Sequence, residues 1–366
     1  MSTTFVALPS PVVGRAGAGG HPCQGLYHSP TGASPTTAFV ATHYNVDFSE
    51  HYLAELLAER GYGFLGWNTR FRGAEPYFLL DHALAEIAVG VRWLRDQGIE
   101  RVVLLGNSGG GSLMSAYHSQ CREVTIRPPW GRSLLPAVDD LVPADLFVFV
   151  AAHPGRPEIL TDWLDPSLLS EVDPIGRDAS LDMYDLANGP PYDGAFVERY
   201  RAAQVARNDR LTDWCIDEIA RLEAHGLNDE LFVIRGVWAD PRFVDPALDP
   251  SPRRTPWCYA GDPQRANEGV FGIGTVSTLR SWLNMWSLRE SDCRGGPHLA
   301  RLDLPTLLIQ PDADNGVFPS QAAEIFAAVA SSDKEMATMP GDHYFLTPAT
   351  ARADVADVIA AWVSRH

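Results

Sequence analysis

The sequence is poor in cysteine, in positive charge and in long apolar runs, and each shortage closes off a class of protein. Five cysteines stand far apart, at Cys23, Cys121, Cys215, Cys258 and Cys293. An odd count without a Cys-x-x-Cys pair argues against a disulfide framework and suits free thiols in a reducing compartment. Lys and Arg number 29 against 46 Asp and Glu, a net charge of −17. An excess of this sign argues against nucleic acid and against membrane surfaces as partners. No uninterrupted apolar run approaches the roughly 20 residues that span a bilayer. The start, Met1-Ser2-Thr3-Thr4-Phe5, has neither the basic region nor the apolar core of a signal peptide. The expectation is a cytoplasmic protein. Also missing are His-Glu-x-x-His, a spaced Cys/His set and a dinucleotide fingerprint set between strand and helix. No metal and no cofactor is therefore expected.

What is present is the composition of a globular enzyme, with 45% hydrophobic and 20% charged residues. At 366 residues the chain exceeds one typical domain, so a core with a sizeable insertion is the natural prior. Short apolar strands alternate with helical patterns from 37 to 152 and again from 305 to the end. Strands are read at 37–42, 62–67, 101–106, 145–152, 305–310 and 335–339, with two more near Phe5–Leu8 and Gly25–His28. Helices are read over 49–60 (capped by Ser49), 80–97, 319–330 and 349–364. That alternation implies a mostly parallel sheet flanked by helices, an α/β fold. The glycine run at 14–20 has no helix after it and is read as a loop rather than a phosphate cradle. Between these blocks the rhythm changes. Prolines and aspartates crowd in, with a long helix over 196–225 and a second over 276–289 that carries Leu279, Trp282, Leu283 and Trp286. The chain therefore divides into core 1–153, an inserted, largely helical cap 154–302 with a small core of its own, and core 303–366. The cap would lie over the sheet's carboxyl edge, where open α/β sheets bind ligands.

The organising stretch is Arg101-Val102-Val103-Leu104-Leu105-Gly106-Asn107-Ser108-Gly109-Gly110-Gly111-Ser112. A buried strand runs through Gly-x-Ser-x-Gly into a helix start. Such a turn forces a strained backbone at its apex and needs glycines at 106 and 110, where strand and helix pack closely. Ser108 at the apex would present its hydroxyl beside the first N–H groups of the helix, a place that stabilises an anion.

This strand–serine–helix turn resembles the nucleophile elbow of the α/β-hydrolase family, and the resemblance covers about 36–153 and 303–366. It implies the chain order serine, acid, histidine. Pro311-Asp312-Ala313-Asp314-Asn315-Gly316 resembles the family's turn in which the second Asp orients the base. Asp314 is therefore the expected acid, and Asp312 a residue that caps the turn. The same letters half-match a calcium loop, but Gly316 falls one place early and no Glu closes it. Pro340-Gly341-Asp342-His343 resembles the family's Gly-x-His loop, with His343 as the base. The oxyanion hole implied by the resemblance takes one N–H from Gly109 and one from the turn His43-Tyr44-Asn45. Many relatives have His-Gly there, so Tyr44 and Asn45 stay open as the donor, and the Tyr44 side chain is a candidate for touching substrate. His43 is read as bracing the turn. Asn68-Thr69-Arg70-Phe71-Arg72-Gly73 resembles the family's Arg-Gly loop, with a bracing role for its arginines.

The resemblance implies a serine hydrolase that cleaves a carboxylic ester or lactone of a fairly apolar small molecule. The same triad serves thioesters, amides and carbon–carbon bonds in other members, and a non-catalytic ligand-binding member is a further alternative. Dehalogenase and epoxide-hydrolase chemistry is disfavoured, since those relatives carry Asp where Ser108 stands. Trp238, Trp257, Tyr259, Phe271, Trp282, Met285 and Trp286 give the insertion many large apolar side chains. Most are expected to pack the cap itself. Trp282 and Trp286, four apart on one helical face, are the candidates for lining a pocket.

Overall fold

A computed structural model describes residues 1–12, 21–32 and 34–366. The glycine run at 14–20 lies outside the described residues. The strands are β1 (Ser2–Leu8), β2 (Cys23–Ser29), β3 (Thr37–Ala41), β4 (Gly63–Asn68), β5 (Arg101–Asn107), β6 (Leu146–Val150), β7 (Leu231–Val233), β8 (Val276–Thr278), β9 (Thr306–Pro311) and β10 (Lys334–Met339). The helices are α1 (Ala54–Glu59), α2 (Leu80–Asp96), α3 (Gly110–Arg122), α4 (Arg156–Trp163), α5 (Gly194–Glu223), α6 (Pro263–Glu268), α7 (Leu279–Ser281), α8 (Gly295–Leu299), α9 (Pro319–Ala328) and α10 (Ala351–Val363).

Eight strands form one sheet in the order β1-β2-β4-β3-β5-β6-β9-β10, with only β1 and β2 antiparallel to their neighbours. Every residue of β3, β4 and β6 is buried, as a sheet covered on both faces requires. The side-chain period of two divides the core. Val102 and Leu104 of β5 join Ala38, Val40, Phe147 and Phe149 beneath α2, α3 and α9. Val103 and Leu105 join Phe39, Ala41, Val148 and Val150 against α1 and α10. On α2, the expected stripe of Leu84, Ile87, Val91 and Leu94 is buried.

Two elements depart from the sequence reading. Helix α1 starts at Ala54, not after Ser49, and its N-cap residue Leu53 offers no side-chain cap. Ser49 is engaged elsewhere: its Oγ accepts from Asn68 Nδ2 at 2.8 Å and its N–H donates to Asp47 at 2.9 Å. The helix expected over 276–289 forms only over 279–286, as one α turn followed by a π turn. Val276–Thr278 is instead a strand paired antiparallel with β7. Its β-branched residues favour that extended state, and Thr278 then caps the single turn of α7 by accepting from Ser281 N at 3.1 Å. Trp282–Trp286 follows as a π-helical turn.

All elements from α4 to α8, with β7 and β8, lie between β6 and β9. This segment has one small cluster to itself: Met183, Tyr192, Phe196, Tyr200 and Ala239. Its other large side chains, among them Leu211, Ile219, Trp238, Leu279, Trp282 and Trp286, are continuous with the apolar layer under α2 and α3. The core expected to be its own is therefore mostly shared with the sheet. Asn284 Oδ1 accepts from Leu80 N at 2.6 Å and Glu75 accepts from Gly274 N at 3.0 Å, which stitches the segment to the loop after β4. No described helix is long and apolar enough to cross a membrane.

Candidate active site

Ser108 follows the last residue of β5 with φ +54°, a left-handed conformation that costs a non-glycine residue on the order of 1–3 kcal/mol. The surrounding backbone holds it there. Ser108 N donates to Val150 O at 3.1 Å, and Ser108 O accepts from His153 N at 2.9 Å and Gly111 N at 3.1 Å. The strand and helix meet so closely that a Cβ on Gly106 would lie 2.6 Å from Gly111 Cα. Asn107 adds a brace, donating to Val150 O at 2.8 Å and accepting at Oδ1 from His51 Nε2 at 3.1 Å.

Parallel pairing of Met339 with Pro311 ends β10 and β9 side by side, and their loops deliver His343 and Asp314 to the same spot. His343 Nε2 lies 3.2 Å from Ser108 Oγ, and His343 Nδ1 lies 2.9 Å from Asp314 Oδ2. The other Asp314 oxygen accepts from Gly316 N at 2.8 Å and Val317 N at 3.0 Å, so the buried carboxylate can face only the imidazole. With Nδ1 donating to a carboxylate, Nε2 keeps its lone pair towards the serine. Asp312 points away: its Oδ1 accepts from Gly341 N at 3.1 Å, tying the acid loop to the histidine loop.

A third group meets the same imidazole nitrogen. Tyr259 Oη is 2.9 Å from His343 Nδ1, with the two rings 4.4 Å apart. Tyr259 sits on a tight turn in which Cys258 and Gly261 exchange backbone hydrogen bonds of 2.9 and 3.0 Å. Its hydroxyl occupies a notch that only glycine allows, since a Cβ on Gly316 would lie 1.6 Å from that oxygen. Burial pushes the Tyr259 phenol well above its ordinary pKa, so it stays neutral.

Beside Ser108, Gly109 N and Tyr44 N make no hydrogen bond among the described residues, whereas Asn45 N is directed at His43 Nδ1, 3.4 Å away. Val46 N reaches the same nitrogen at 3.4 Å, so His43 braces its turn with Nδ1 and carries its proton on Nε2. Burial, helped by Arg156, holds His43 well below the usual imidazole pKa. Burial does the same to His153, with the nearby Arg156 adding to it.

The aromatic candidates fall in different places. Tyr44 is fully buried with its hydroxyl 3.1 Å from Ser112 Oγ, so its side chain lies beneath the turn rather than over the serine. Trp282 is also fully buried, donating to Thr212 Oγ1 at 3.1 Å and meeting Phe232 edge-on. It packs against α5 and does not line the site, a correction to its place as a pocket candidate. Trp286 is closed to solvent too, with its ring 5.4 Å from the Arg156 guanidinium. Arg70 braces, donating to the buried Glu86 at 2.6 Å, and Arg72 pairs with Asp47 on the surface. Among the described residues, no group of three or more His, Cys, Asp or Glu is placed to hold a metal ion.

Sequence reasoning placed Tyr259 among packing aromatics and passed over Arg156, His153 and Glu75. The one signal available was position: His153-Pro154-Gly155-Arg156 leaves β6 at the carboxyl edge of the sheet.

No family model matches the chain, and no curated protein matches it. Solved structures do. The α/β hydrolase GrgF from Penicillium sp. sh18 is 10% identical with a TM-score of 0.54, over 100% of this chain and 99% of that one. DcsB, solved in complex with its substrate analogue, is 11% identical with a TM-score of 0.52, over 100% and 99% of the two chains. At such identities the likeness speaks to architecture alone, and it agrees with the strand order and the serine turn: this chain has the fold of the α/β hydrolases.

Proposed function

We propose that this protein is a serine hydrolase that cleaves carboxylic esters or lactones of small molecules through an acyl-enzyme on Ser108. The observation that carries the reading is the relay Ser108–His343–Asp314, at 3.2 and 2.9 Å, on a strained strand–helix turn. In the first half-reaction Ser108 Oγ attacks the acyl carbonyl and its proton passes to His343 Nε2. Asp314 stabilises the imidazolium and holds its orientation, itself held by two backbone N–H groups. Gly109 N and Tyr44 N, both without protein partners among the described residues, receive the oxyanion. Asn45 is set aside as a donor because its N–H faces His43. Collapse of the tetrahedral intermediate expels the alcohol, which takes the proton from Nε2. Water then repeats the sequence and frees the acid and Ser108. The segment 154–302 acts as a cap, closing the site from above with Arg156, Tyr259 and the Trp163–Trp238 stack, whose rings are 5.0 Å apart.

The test is labelling with a fluorophosphonate, together with turnover of a panel of acyl esters. Wild-type protein should be labelled, and Ser108→Ala and His343→Ala should each lower turnover on the order of 10⁴-fold or more. The double variant should be little worse than either, since the residues act as a unit. Normal turnover in Ser108→Ala, or losses that simply add, would overturn the reading.

A further inference from the structure

Four arginines of the described chain are buried, and three of them are saturated. Arg207 donates to both oxygens of Glu171 at 2.8 and 2.6 Å and to the carbonyls of Asp165 and Arg235 at 2.8 Å each. Arg253 reaches the carbonyls of Asp249 at 2.6 Å and Leu248 at 2.7 Å, among others. Arg280 binds Glu223 at 2.7 Å and the carbonyls of Asn228 and Trp130. This is how a guanidinium removed from water is ordinarily kept.

Arg156 breaks the pattern. It is 3% exposed, yet its side chain's one hydrogen bond among the described residues is a 3.3 Å contact from Nη2 to Asn45 Oδ1. Its Nε is buried with no partner at all. The nearest carboxylate, Glu75, stops 3.8 Å short, outside hydrogen-bond reach, and its Oε1 is likewise buried and unpartnered. Two aromatic rings fix the guanidinium in place: Tyr44 at 4.5 Å and Trp286 at 5.4 Å from its carbon. These rings hold the group without satisfying its donors.

Its location is beside the nucleophile. A Cβ on Gly109 would lie 3.0 Å from the guanidinium carbon, 3.2 Å from Nη1 and 2.8 Å from His43 Nε2. The cation therefore stands next to Gly109, the residue proposed to supply an oxyanion N–H. Burial pushes the Glu75 carboxyl upward, against the pull of Arg156 and of the Gly274 N–H.

We propose that Arg156, with the Nε2–H of His43, forms an anion subsite beside the scissile carbonyl, and that the preferred substrates carry a carboxylate on the acyl side, as half-esters of short dicarboxylic acids do. This rests on the serine-hydrolase reading of the same site and replaces its expectation of a fairly apolar acyl group.

The test compares methyl hydrogen succinate and methyl hydrogen glutarate with methyl pentanoate. Wild-type kcat/KM should favour the better half-ester by about 30-fold, the size expected of hydrogen bonds to a charged group. Arg156→Met should bring that ratio close to one, and Arg156→Lys should keep part of it. Equal turnover of charged and neutral esters by the wild type would overturn the subsite, and so would an equal loss on both in Arg156→Met, which would make Arg156 a general oxyanion donor or a brace. Calorimetry keeps the two readings separate. Ser108→Ala protein should bind glutarate, and Ser108→Ala/Arg156→Met protein should not. Binding without fluorophosphonate labelling of the wild type would leave the subsite standing and remove the hydrolase; labelling without glutarate binding would do the reverse.

Discussion

The floor and the roof of the site are built on opposite principles. The floor is Ser108, Asp314 and His343, each within four residues of the end of a parallel strand. Strand register sets their spacing, and backbone N–H groups of Gly316, Val317 and Gly341 lock the two acidic side chains between them. The roof is Arg156, at the first residue of α4, and Tyr259, on a tight turn, each placed by a few local fits: two rings around a guanidinium, and a phenol in a glycine notch. Backbone geometry fixes the groups proposed to move the proton, while Arg156 and Tyr259 hang on side-chain packing. Changes to the floor should therefore cost rate, and changes to the roof should cost fit.

The sharpest test within the floor sets its two aspartates against each other. Asp314→Asn should favour the wrong imidazole tautomer and lower kcat by about 10⁴-fold. Asp312→Asn keeps an acceptor for Gly341 N and should cost less than about tenfold by comparison, since only a peripheral brace is weakened. Steady-state kinetics on one ester decides it, and a reversed order would move the acid to Asp312.

A smaller effect should appear where roof meets floor. Gly316→Ala drives a methyl group into the Tyr259 ring, on a backbone whose N–H is already committed to Asp314. Displacement of the acid loop by even an ångström should cost about 10²-fold in kcat. Truncating the obstacle should restore much of it, so Gly316→Ala/Tyr259→Ala is expected to outperform Gly316→Ala alone. If the double variant were the worse of the two, the notch would not be what seats Tyr259.

An effect on stability rather than on rate is shared by both layers. Burial pushes His51, under the floor, down to about 4, and holds His43 and His153 well below the ordinary value of 6.5. These imidazoles stay neutral in the fold while the unfolded chain binds protons below that value. Unfolding then takes up protons, so stability is complete above pH 6.5 and is lost as pH falls towards 4. The slope should be about 1.4 kcal/mol per pH unit for each histidine. Urea midpoints measured at pH 7.5 and pH 5 should fall on acidification, less steeply in His51→Gln. A midpoint that stayed level would mean that a compensating group gains protons in the folded state.

The floor was legible because each of its residues sits in a short string that follows a visible apolar run: Gly-Asn-Ser-Gly-Gly after β5, Pro-Asp-Ala-Asp after β9, Gly-Asp-His after β10. Local sequence and local structure coincide there. The roof was not, because Tyr259 depends on what is missing from Gly316 and Arg156 on what Glu75 and Asn45 fail to supply. Such relations exist only after folding. The same limit explains the stretch at 276–289. Its apolar spacing fits a helix, but β7, more than forty residues earlier, claims Val276–Thr278 as a strand.

The place of the insertion has a consequence for how the chain is made. Strand β6, Leu-Phe-Val-Phe-Val, pairs on one side with β5 and on the other with β9, and residues 151–305 separate it from that second partner. At ribosomal speeds of about 5–20 residues per second, β9 follows β6 after on the order of ten seconds or more. Six strands can assemble in that interval with an apolar, β-branched edge still unpaired, the kind of edge that recruits other chains. Whatever the insertion contributes to the finished site, its length makes the β9–β10 side of the sheet the last part to close.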